Sequence, residues 1–220
     1  MAQPRLGAML RRGDRRSIGK ADEAAALVLR RPSRLPELAA GLWHPDPLVR
    51  MRAGDALEKV SRERPEWLRP LRRELLALAA TTAEQELRWH LAQLLPRLGL
   101  SASQRGTLVA VLRGYARDSS VIVRVSAMQA LVELAVIDQG LRPLARRQFR
   151  RTLEAGTPAE RARACKLLAG VVQTPTCSAV PEGNSDGADR KARGSRPPAA
   201  AARAAARGPQ EDRFRKAPRC

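Results

Sequence analysis

The feature that most constrains this chain is that it repeats itself. The segment Val49-Arg50-Met51-Arg52-Ala53-Gly54-Asp55-Ala56-Leu57 returns as Leu87 to Leu95, as Val123 to Leu131, and as Glu160 to Leu168. The spacings are 38, 36 and 37 residues, counted from 50 to 88, 88 to 124 and 124 to 161. Aligned in this way, one column is arginine throughout: Arg50, Arg88, Arg124 and Arg161. Three residues later the column is small or apolar (Ala53, Leu91, Ala127, Ala164), and seven later it is leucine (Leu57, Leu95, Leu131, Leu168). A period of this length marks a unit that cannot hide its apolar stripe alone and stacks on its neighbours to do so.

Each unit reads as two helices. The first helices are expected over about 34–43, 66–80, 103–117 and 141–155, and the second over about 47–62, 83–98, 119–136 and 158–172. Val49, Ala53, Ala56, Leu57 and Val60 fall at i, i+4, i+7, i+8 and i+11, one face of a helix. The first helices share columns too: Leu38, Leu76, Leu112 and Phe149, then Leu42, Ala80, Ala116 and Leu153. Asp46 before Pro47 suits a helix start, as do Thr82 and Thr157-Pro158. Residues 21 to about 31 read as a short capping helix ended by Pro32, and residues 1–20 as a flexible basic arm. From 173 to 220 the composition turns rich in Pro, Gly, Ser and Ala, and disorder is expected. The domains are then 1–20, 21–172 and 173–220.

The formal charge is +19, from 41 basic and 22 acidic residues, and 36 of the basic residues are arginine. Such a bias fits a polyanionic partner. Arginine together with Ala, Gly and Pro also fits a GC-rich coding sequence, and both readings stand at this point. Three cysteines without a CxxC pair argue against a disulfide framework or a zinc site and suit a reducing cytoplasm. The longest N-terminal apolar run, Ala24 to Leu29, is six residues, too short for a membrane span or a secretory signal.

The helix-pair period, the Asp46-Pro47 turn and the Val-Arg-x-x-Ala-x-x-x-Leu block at Val49–Leu57 and Val123–Leu131 together resemble HEAT repeats of the armadillo-type superhelix group. The resemblance covers about 21–172 and lies nearest to small bacterial HEAT-repeat proteins without a settled biochemical role. It implies an all-α, right-handed α-α superhelix of about four helix pairs, used as an interaction scaffold with the second helices lining the concave face. The last unit departs from the pattern, with Glu160 where the others carry an apolar residue.

Function is read from the polar columns, because fold alone does not give it. The arginine column stands at the border of the apolar stripe. It is read as structural, bonding turn carbonyls or a carboxylate of the neighbouring unit, in preference to an anion-binding ladder. Outward-facing positions of the second helices make the candidate protein-binding row: Arg52, Asp55, Lys59, His90, Gln93, Arg97, Gln129, Arg163 and Lys166. The alternative is sequence-independent nucleic-acid binding through Arg142, Arg146, Arg147, Arg150 and Arg151, as HEAT-like DNA glycosylases hold a duplex in a basic groove. His44 and His90 are the only histidines, and His90 with Glu86 at i−4 falls short of a metal set. The same pair could pass a proton, but nothing supplies a nucleophile or oxyanion donors. No phosphate-cradling glycine loop or nucleophile elbow is present. The expectation is a non-enzymatic cytoplasmic scaffold with no cofactor, no metal, no membrane and no small-molecule substrate.

Overall fold

Prolines and caps set the helix limits. A computed structural model describes residues 5–11 and 19–172, with side chains as far as 167; every regular element among them is helical. Segments 1–4 and 12–18 of the expected arm, and the 173–220 tail expected to be disordered, lie outside the described residues. Two short helices, α1 (Leu6–Arg11) and α2 (Ala21–Arg30), precede the first unit. That unit consists of α3 (Leu35–Ala40), running into a 3-10 turn at 41–43, and α4 (Pro47–Glu63). The second has α5 (Pro65–Leu68), α6 (Arg72–Thr81) and α7 (Gln85–Leu94); the third, α8 (Ala102–Tyr115) and α9 (Val121–Ile137); the fourth, α10 (Arg142–Ala155) and α11 (Pro158–Val172).

Asp46 begins α4 by accepting the Leu48 N–H at 2.9 Å, and Pro47 takes the first position, where its missing donor costs nothing. Ser101 and Gln104 cap α8 reciprocally. Two expected helices are interrupted. Pro70 sits in a 3-10 turn at 69–71 that separates α5 from α6, and Pro96 turns the end of the 83–98 helix into 3-10 at 95–98. In each case a proline inside the pattern removes a backbone donor and crowds the preceding turn. Thr82 does not cap α7: that helix starts after Glu84, whose N–H Thr82 Oγ1 accepts at 3.2 Å.

The apolar second-helix columns and the Leu38 column of the first helices are core where described, whereas in the Leu42 column only Leu42 is buried: Ala116 and Leu153 are half-buried and Ala80 is exposed. Ala53, Leu91, Ala127 and Ala164 are fully buried, as are Leu57 and Leu95, with Leu131 at 2% exposure. Leu38, Leu76, Leu112 and Phe149 are buried on the first helices. Each leucine removed from water contributes about 1.5–3 kcal/mol. The second helices follow one another in contact, α4 on α7, α7 on α9 and α9 on α11, with α2 on the free side of α4. Close approach is helped by missing side chains. A Cβ on Gly41 would lie 2.9 Å from Ala53 Cβ, and one on Gly54 would lie 3.2 Å from Leu87 Cδ2.

Part of the expected arm is a packed helix. Leu6 and Leu10 of α1 are 0% and 1% exposed and join the same core cluster as α2 and α4. The Leu6 N–H donates to Glu37 Oε1 at 2.6 Å. Leu6, Met9 and Leu10 make an i, i+3, i+4 stripe, but over six residues among arginines it is too brief to stand out.

Candidate interaction surfaces

The arginine column joins consecutive units. Arg50 Nη1 donates to the carbonyls of His44 (2.6 Å) and Pro45 (2.9 Å) in its own turn, while Nε and Nη2 reach Glu84 Oε1 in the next turn at 2.7 and 2.6 Å. Arg88 repeats this, with Nε to Thr82 O at 2.9 Å and Nη1 to Asp118 Oδ2 at 2.6 Å. Arg124 donates to the carbonyls of Asp118 and Ser119 at 2.7 and 2.9 Å and to both oxygens of Glu160 at 2.6 and 3.1 Å. Arg161 keeps the turn bond, to Gly156 O at 2.6 Å, and is exposed. A planar guanidinium with five donors can serve its own turn and a neighbour's carboxylate at once; a lysine could not.

The carboxylates that receive these arginines did not stand out in the sequence. Relative to the arginine of their own unit, Glu84, Asp118 and Glu160 fall four, six and one residues before it, so alignment by repeat scatters them. Glu160 is the most constrained. Its carboxylate also accepts the Thr157 N–H at 2.8 Å and the Thr157 hydroxyl at 2.7 Å, closing a capping box at the start of α11. The Arg124 guanidinium, opposed by burial and aided by the Thr157 donors, holds this carboxyl down to about 2. At Asp118, burial pushes upward, but the Ser120 N–H and Arg88 outweigh it and lower the carboxyl. The T-x-x-E signature at 157–160 was the available signal.

The expected binding row on the second helices needs two corrections. Arg52 is fully buried, its Nη1 donating to Leu10 O at 2.7 Å, because α1 covers the face of α4 that an isolated unit would expose. His90 is 7% exposed in the α4–α7 contact, where Trp89 Nε1–H donates to its Nε2 at 2.9 Å. Burial, against the nearby Asp55 and Glu58, pushes the imidazole down to about 4, so it is neutral near pH 7. Neither side chain can meet a partner.

Most of the remaining row bonds from one second helix to the next. Lys59 pairs with Asp55 at 2.8 Å and with Asp22 on α2. Arg97 Nη1 donates to Glu58 Oε1 at 2.8 Å and Ser61 Oγ at 2.9 Å. Glu58 is 1% exposed; burial raises its carboxyl, and the bonds from Arg62 and Arg97 more than reverse this. Gln93 donates to Ser126 Oγ at 3.2 Å, and Arg163 donates to Gln129 Oε1. Lys166 is exposed, and Lys59, Gln93, Arg97, Gln129 and Arg163 are half-buried. These five keep an edge to solvent.

Compared with known proteins, the chain matches no family model and no curated protein. The likeness to HEAT repeats therefore rests on the residues quoted above.

The arginines of α10 divide into two groups. Arg147 and Arg151 line a cleft of about 150 Å³ between α8 and α10, together with Arg113 from the last turn of α8, Arg117 from the turn after it, and Gln148. Arg142, Arg146 and Arg150 are exposed but do not line it. In the sequence, Arg113 at the end of α8 and Arg117 in the turn after it are indistinguishable from ordinary solvated arginines. Among the described residues, no three His, Cys, Asp or Glu side chains gather as a metal set, and no helix is long and apolar enough to cross a membrane.

Proposed function

We propose that the four helix pairs form a right-handed HEAT-type α-α solenoid that acts as a non-enzymatic cytoplasmic scaffold and binds another protein along its second helices. The observation carrying this reading is the set of half-buried polar side chains Lys59, Arg97, Gln93, Gln129 and Arg163, each bonded to a neighbouring helix. Each of these side chains is tethered to a neighbouring helix yet retains solvent access. Tethered side chains lose little rotamer freedom when a partner arrives, which lowers the cost of binding. The row mixes charges and amides, as suits a folded protein surface rather than a polyanion. Arg52 and His90 take no part.

A photo-cross-linking residue placed at Gln93 or at Lys166, in cells that make the protein, tests this. Both positions should trap the same protein partner, whereas the same residue at Arg73, exposed on α6, should not. Trapping from Arg73 with none from Gln93 and Lys166 would contradict it. The alternative function, sequence-independent nucleic-acid binding, draws on a different surface, the α10 arginines Arg142, Arg146, Arg147, Arg150 and Arg151.

A further inference from the structure

We propose that the cleft between α8 and α10 is a phosphate seat that grips the sugar-phosphate backbone of a nucleic-acid duplex without reading its sequence. This inference uses no residue of the second-helix row and stands or falls separately from the protein-binding reading.

Convergence carries the argument. Arg113 lies in the last turn of α8 and Arg117 in the turn that follows it, while Arg147 and Arg151 are one helical turn apart on α10. The two pairs line the same cleft over a floor that includes Leu131 and Leu144. No carboxylate lines it. The acidic groups of this region are engaged elsewhere: Asp118 with Arg88, Asp138 with Arg105 and Glu160 with Arg124. Glu154, the one acidic residue of α10, does not border the cleft. Four exposed arginines share this one cleft with no acid among its lining residues, and their combined positive potential favours an anion seated there.

Size and shape choose the ligand class. At about 150 Å³ the cleft is well below the roughly 300 Å³ at which pockets for small organic ligands begin. It suits a single phosphate group approached from outside. Arginine forks match phosphate oxygens two at a time, and Gln148 is the one other polar side chain that lines the cleft. No aromatic side chain lines the cleft, so nothing there stacks an unpaired base, and a duplex backbone is favoured over a single strand. Arg146 and Arg150, exposed on α10 outside the cleft, add positive potential nearby.

The test is fluorescence anisotropy of a 20-mer duplex with the full-length chain, titrated at several salt concentrations. The cleft variant replaces Arg113, Arg117, Arg147 and Arg151 with Gln. A charge-matched control replaces Arg30, Arg31, Arg69 and Arg73, which are exposed, outside the cleft and outside the arginines of α10. The cleft variant should lose at least about tenfold in affinity at physiological salt and show a shallower salt slope, by about 0.9 for each phosphate no longer neutralised. The control should change by less than about threefold, and scrambling the duplex sequence should change nothing. Thermal melts of both variants check folding. If the cleft variant melts early, Arg147→Gln with Arg151→Gln and their lysine counterparts replace it, with lysine restoring part of the affinity. Equal losses in the two four-residue variants, or no duplex binding by the native chain at low salt, would overturn the proposal. So would competition by polyglutamate as effective as by unlabelled duplex at equal charge, which would assign the cleft to acidic protein segments.

Discussion

Glu160 stands where the other three units carry valine or leucine, and only the capping box and Arg124 make such a buried carboxylate tolerable. Its folded-state value, about 2, is below the ordinary 4.5, so its contribution is fully present above about pH 4.5 and is lost as pH falls toward 2. His90 acts over a higher range. Its folded value of about 4 lies below the ordinary 6.5, so the unfolded chain binds the proton more readily between these values. Stability should therefore fall as pH drops from about 6.5 to 4, by on the order of 3 kcal/mol if the fold stays intact. Denaturant titrations at stepped pH check both windows. His90→Gln should flatten the upper one and leave the lower one, to which Glu160 contributes together with the lowered carboxyls of Asp118 and Glu58. An unchanged slope between pH 6.5 and 4 in the variant would mean that His90 does not set the upper window.

Among the elements, α1 and α7 show most clearly what the sequence disclosed and what it hid. Leu95 sits in the repeated leucine column and is fully buried, so Leu95→Ala should cost about 2–5 kcal/mol in chemical unfolding. Leu10 belongs to no column, yet Leu10→Ala should cost about as much, because α1 seats it against the first unit. A cost near zero would mean that α1 does not close the end of the stack. Periodic burial was legible because each unit states the pattern again: the buried faces of α4, α7 and α9 and the turns at Asp46 and Thr157 could be placed by comparison. What occurs once could not. The docking of α1, and with it the burial of Arg52, depends on a tertiary contact outside the repeat. His90 was misplaced because Gly54, on the facing helix, lets α4 and α7 approach closely enough to enclose it. The cleft needed two helices to be brought side by side, and neither helix alone reveals Arg113 and Arg117 opposite Arg147 and Arg151.

Across the whole described unit, the distribution of arginines is more informative than their number. Where an arginine closes a joint between units, a carboxylate meets it: Arg50 with Glu84, Arg88 with Asp118, Arg97 with Glu58, Arg105 with Asp138 and Arg124 with Glu160. Each of these bridges ties one helix pair to the next. The compositional reading of the positive charge does not account for that pairing, and it does not account for four arginines converging on one cleft without an acid. Arg50, Arg88 and Arg124 of the arginine column are joints between successive helix pairs. A double-mutant cycle on Arg124→Ala and Glu160→Gln, read as unfolding free energy near pH 7, tests this role most directly, since glutamine preserves the capping box while removing the charge. A coupling of about 1–2 kcal/mol is expected, with each single change destabilising. Additive effects, with a coupling under about 0.3 kcal/mol, would mean that the repeats are held together by apolar burial alone.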